Sequence, residues 1–131
     1  MVKDMLIIDG RMGRARYLRL SLLAMLLLTL GAILLIFPWA MSIANGVELV
    51  PLGLSIALAV VQLALGLWIA VASSIRRLHD MGWSPLWLFT CIIPVEAVAV
   101  LAVLVLSLAM SLIRGMPGAN AHGPPVGAVA D

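Results

Sequence analysis

A chain of 131 residues is one domain by length, and 64% of this one is hydrophobic against 11% charged. Soluble domains are about half apolar. With a mean hydropathy of +1.20, a water-soluble fold is excluded and lipid must solvate much of the surface. The net charge of +2 comes without aromatic interleaving or a nucleic-acid motif, which excludes nucleic acid as a partner.

Three apolar stretches, 20–37, 49–73 and 86–113, are each long enough to cross about 30 Å of hydrocarbon, which takes about 20 helical residues. The expected fold is therefore all-α and integral to the membrane, with three transmembrane helices and short loops. It divides into a basic segment 1–19, a three-helix domain 20–113 and a Gly/Pro-rich tail 114–131. Lys3, Arg11, Arg14, Arg16 and Arg19 precede the first stretch, Arg76 and Arg77 separate the second from the third, and only Arg114 lies elsewhere. Cytoplasmic loops carry excess Lys and Arg. This sets the N-terminus and the 74–85 loop in the cytoplasm, and the 38–48 loop and the C-terminal tail in the periplasm, for a multi-pass protein of a bacterial plasma membrane. The first stretch exceeds the usual leader core of about 7–15 residues and is expected to stay uncleaved.

In chain order, Tyr17 stands where an interfacial aromatic belongs, and the nearby arginines spread around a helix rather than along one stripe. The first span is expected to end at Phe37-Pro38-Trp39, because proline stops helices. Asn45-Gly46 is a turn signal, and Pro51 suits a first helical turn. In the second span Ser55, Ala59, Gln62, Gly66 and Ser73 share one face, whose small residues allow close helix approach in lipid. That face is expected to pack on protein. The third stretch is longer than a crossing needs. It must tilt, kink at Pro94, or emerge before Arg114; a C-terminus found in the cytoplasm would instead imply a re-entrant hairpin broken at Pro94. Cys91 is the lone cysteine, so no intramolecular disulfide can form, and it reads as a small hydrophobe.

Two constellations could carry chemistry. Gln62 lies eleven residues before Ser73 and Glu96 eleven residues after Pro85. If both helices were regular, the two would sit at equal depth, about 16 Å below the cytoplasmic surface. They could then pair in the membrane, with Gly31 leaving room, either as structural glue or as part of a proton path. The other constellation is Arg76-Arg77-Leu78-His79-Asp80-Met81-Gly82-Trp83. His79 beside Asp80 invites an acid–base reading, yet adjacent residues rarely aim at each other and no nucleophile accompanies them. Asp80 before Met81-Gly82 reads as a turn, with Arg76 in position to offset its charge. His122 has no ligand-spaced companion for a metal. No catalytic, cofactor or metal residue is expected.

Gly10-Arg11-Met12-Gly13-Arg14, then Arg76-Arg77-Leu78-His79-Asp80-Met81-Gly82-Trp83-Ser84, then Gly118-Ala119-Asn120-Ala121-His122-Gly123-Pro124 occur in that order. Together they resemble the family called domain of unknown function 805, the YhaH-like bacterial inner-membrane proteins, over residues 10–125. The resemblance implies an inner-membrane location and no particular activity. It draws attention to Arg11, Arg14, Arg76, Arg77, His79 and Asp80, which match, and away from Glu96, which does not. The expected function is non-enzymatic: a basic cytoplasmic face built from those six residues binds anionic lipid headgroups or a membrane protein partner, or supports a homo-oligomer. Alternatives are a transport or proton-conducting subunit using Glu96 and Gln62, and a membrane-interface enzyme using His79 and Asp80.

Overall fold

The computed structural model describes residues 8–46, 52–92 and 96–127. They form helix α1 (Arg14–Asn45), helix α2 (Leu52–Met81), a 3-10 helix (Pro85–Ile92) and helix α3 (Glu96–Leu112). Among the described residues there is no strand, only an isolated bridge between Asn120 and Gly123 in the tail. Two helices, α1 and α2, are long and apolar enough to cross a membrane, with mean hydropathies of 2.8 and 2.3 in their most apolar windows.

The ladder of α1 opens with the Tyr17 amide donating to the Gly13 carbonyl at 3.0 Å. It does not stop at Pro38, as the sequence suggested, but runs through it to Asn45. Lipid offers no water to a freed backbone group, so the helix continues around the one bond that proline cannot make. Gly46 ends it at φ +63°, its amide donating to Ser42 at 3.0 Å, a left-handed cap that suits glycine. At the end of α2, Gly82 has φ +72°. The amides of Gly82 and Trp83 return to the carbonyls of His79 and Leu78 at 3.2 and 2.9 Å. These two bonds make a Schellman cap, the turn read from Asp80-Met81-Gly82.

The described residues fall into two compact units, one of residues 21–70 and the other of those up to 20 together with those from 71 onward. In the first unit α1 and α2 run antiparallel at close approach. A Cβ on Gly31 would lie 2.9 Å from Leu63 Cγ and 3.3 Å from the Ala59 carbonyl, and one on Gly66 would lie 2.9 Å from Leu28 Cγ and 3.2 Å from the Ala24 carbonyl. Gly31 thus receives Leu63 of α2. The small-residue face is buried at Ser55, Ala59, Gly66 and Ser73, with Gln62 half-buried.

In the second unit the third apolar stretch departs from the expected single span. The 3-10 helix packs along α3, and an apolar cavity of about 310 Å³ is lined by Trp83, Trp87 and Thr90 on one side and Ala102, Leu106 and Ala109 on the other. Eight residues of 3-10 helix rise about 16 Å and seventeen of α3 about 25 Å, both short of about 30 Å. The chain also returns to the end it left, since the Met116 amide donates to the Asp80 carbonyl at 2.8 Å. The stretch therefore goes out and back. Residues 114–123 thus lie beside Arg11 and Asp80, where a single span would have carried them to the far end of the third stretch. The reason is electrostatic, because the carbonyls at the end of α3 are acceptors for arginines of that end.

Candidate functional site

The sequence-derived cluster assembles around Asp80. Its Oδ1 accepts from Arg11 Nε at 3.0 Å and its Oδ2 from Arg77 Nη1. The Schellman turn fixes Asp80 in the last turn of α2, and the Met12 amide, donating to the Arg76 carbonyl at 3.2 Å, ties the N-terminal segment alongside. Arg77 is fully buried. Its Nε donates to the Met110 carbonyl at 2.7 Å, Nη1 also to Met12 at 3.2 Å, and Nη2 to the Ile113 carbonyl. Carbonyls at a helix C-terminus lack intrahelical donors and carry partial negative charge. Arg77 therefore acts as a cap on α3 as well as a partner of Asp80. Arg14 joins it through Leu112 at 3.3 Å.

Arg11 binds the tail in the same way. Nη1 donates to the Gly118 carbonyl at 2.6 Å and Nη2 to Met116 at 2.5 Å. Gly115 lies so close that a Cβ there would run into the Asp80 carboxylate. The Asn120 side-chain Nδ2 donates to the His79 carbonyl at 2.9 Å. The His122 ring stacks on His79, centroids 3.6 Å apart and planes 3° from parallel. His79 is buried, and its Nδ1 makes no hydrogen bond.

Of the six residues expected to form a face, Arg11, Arg76, Arg77, His79 and Asp80 come together, but as an interior clasp with buried side chains rather than an exposed surface. Only Arg14 is exposed. Both Asp80 oxygens accept from arginine, and His79 meets His122 instead of Asp80, so the His79–Asp80 pairing that acid–base chemistry would use is not formed. Among the described residues no three potential ligands gather for a metal. Gln62 Oε1 is buried without a hydrogen bond, and the Glu96 side chain, like Pro94, lies outside the described residues. The equal-depth argument for that pair also loses its premise, because Pro85–Ile92 is 3-10 and α3 begins at Glu96.

Sequence reasoning missed the acceptors at Met110, Leu112, Ile113, Met116 and Gly118. They are backbone carbonyls, which no side-chain pattern reveals. The one available signal was the tail motif 118–124, which accompanies the arginine motifs in the family resemblance.

A second feature flanks the clasp. An open groove of about 650 Å³ runs between the start of α1 and the end of α3, with Arg14, Arg16, Arg19, Leu18, Ser111 and Val126 in its walls. Arg16 and Arg19 stand outside the six residues singled out from the sequence.

Neither a curated protein nor a solved structure matches the chain. The family model described as Protein of unknown function (DUF805) matches residues 5–124. That span holds all three motifs of the clasp, and the chain belongs to the DUF805 family.

Proposed function

We propose that the protein is a non-enzymatic component of a bacterial inner membrane whose polar end binds anionic lipid headgroups, with its basic segments and its tail in the cytoplasm. One observation carries the reading: the arginines divide into two sets. Arg11 and Arg77 are committed to Asp80 and to carbonyls, whereas Arg14 and Arg19 remain exposed next to Arg16 at the start of α1. Charges of the first set hold the protein together; those of the second stand at the level where α1 passes from polar to apolar sequence. A basic residue at that level gains about 1 kcal/mol from an anionic leaflet.

The test is lipid retention. Protein reconstituted in mixed phosphatidylglycerol and phosphatidylcholine and then extracted in mild detergent should retain phosphatidylglycerol above its share of the mixture, with the excess falling as salt rises. Retention in proportion to the mixture would refute lipid binding. A co-purifying protein in its place would favour a partner at the same end.

A further inference from the structure

The groove beside the clasp has the chemistry of a specific phosphate site, an inference that rests on the lipid-binding reading above. Arg14, Arg16 and Arg19 line it within six residues of chain, and among the described residues no acidic side chain is in its wall. Asp80, the nearby carboxylate of the clasp, is already held by Arg11 and Arg77. The positive potential in the groove is thus not cancelled from within, and a concave surface with one sign of charge concentrates counter-ions. The guanidinium donors of Arg14 and Arg19 are largely available. Arg14 spends one contact of 3.3 Å on Leu112 and Arg19 one of 3.3 Å on Ala15, out of five N–H groups on each. Planar guanidinium groups bind phosphate oxygens in bidentate fashion.

Ser111 closes the opposite wall, but its hydroxyl donates to the Ser107 carbonyl at 2.8 Å, which leaves the arginines as the anion donors. The rest of the wall favours a lipid over a free anion. Leu18 and Val126 give it apolar surface, both are exposed, and the apolar run of α1 starts at Leu20. A volume of about 650 Å³ lies within the range of about 300–1,000 Å³ typical of small-molecule pockets and far exceeds what a lone phosphate fills. We propose that the groove seats the phosphate and glycerol of one anionic phospholipid, its phosphate clamped by Arg14 and Arg19.

Native mass spectrometry of the detergent-solubilised protein, titrated with phosphatidylglycerol or with phosphatidylcholine of the same acyl chains, tests this. One phosphatidylglycerol should bind first and in preference. The double variant Arg14→Gln/Arg19→Gln should bind it roughly thirtyfold more weakly, the effect of losing two basic residues near the membrane surface. Arg114→Gln, exposed but outside the groove wall, should bind like the unmodified protein. Helix content by circular dichroism checks that the double variant is folded. If it is not, the unmodified protein gives the answer: phosphatidylglycerol, and not phosphatidylcholine, should shield Arg14 and Arg19 from phenylglyoxal, as read by peptide mass. Equal shielding by inorganic phosphate at the same concentration would overturn the lipid and leave a free-anion site. A preference for phosphatidylglycerol that survives in the folded double variant, or equal losses in the Arg114 variant, would overturn the groove while sparing the general lipid reading. No preference in the unmodified protein would defeat both.

Discussion

Asp80 holds together two arginines that come from opposite ends of the first eighty residues, and all three side chains are buried. Removing one partner of a buried pair leaves uncompensated charge and costs about 3–5 kcal/mol. Asp80→Ala should lower stability by that order in a detergent unfolding titration. Arg11→Ala, which leaves Asp80 with Arg77, should cost distinctly less; equal and negligible losses would mean that the clasp is solvated. The histidine stack supplies a second expectation. Burial first, and then the His122 ring stacked on it, hold the pKa of His79 below the ordinary histidine value, against a hydrogen bond to the Gly10 backbone and the charge of Asp9. When the tail is released, His79 loses that cover, returns towards the ordinary histidine value of 6.5 and so binds more protons below it. Docking of the tail is therefore fully stabilised above about pH 6.5 and weakens as pH falls below it. Limited proteolysis of residues 115–127 should accelerate at acid pH, and His79→Phe, which can stack without titrating, should abolish the dependence. At this scale the sequence was half legible. Charge patterning singled out Arg11, Arg77 and Asp80, but Arg77 is oriented chiefly by the carbonyls of α3, and a carbonyl leaves no trace in residue identity.

Among the elements, α1 and α2 were the readable part, because apolar length and small-residue spacing are properties of a single helix. The packing of Gly31 and Gly66 follows directly from that spacing. Gly66→Val, which must displace Leu28 and press on the Ala24 carbonyl, should destabilise by about 1–3 kcal/mol, the usual cost of overpacking. Gly53, with nothing within 4 Å of a would-be Cβ, is the control: Gly53→Ala should leave stability unchanged or raise it by up to about 1 kcal/mol. Thermal unfolding in detergent distinguishes the two, and equal effects would contradict the close approach. The third stretch was illegible for a physical reason. Hydropathy counts apolar residues and is blind to direction, so 28 such residues look alike whether they cross once or go out and return. What decides is the polar chemistry at the end of α3.

For the whole molecule the out-and-back path has a topological outcome. Residues 76–80 and 114–123 are hydrogen-bonded to each other or to Arg11 and are expected on one side of a bilayer. Single cysteines at Ala119 and Ala15, introduced into a Cys91→Ala background, should be modified by a membrane-impermeant maleimide from the same side. Modification from opposite sides would restore three crossings. Arg114, which the sequence set apart as the one basic residue on the far side, then rejoins the other arginines, and the charge asymmetry becomes complete.

The Arg11–Gly118 bond spans 107 positions, and this has a meaning during synthesis. Chains are made from the N-terminus, so Arg11 emerges early while its acceptors are among the last groups to appear. Until α3 has been completed, Arg77 and Asp80 have each other, Met12 and Arg11, but Arg77 lacks the carbonyls of Met110 and Ile113 and Arg11 those of Met116 and Gly118. A nascent chain stopped after Ser111 would thus leave Arg77 without Ile113, and Arg11 without Met116 and Gly118, and pulse-chase labelling should find it degraded faster than the full chain. The clasp is in this sense a completion mark: it can close only on a protein whose last apolar segment has already been inserted.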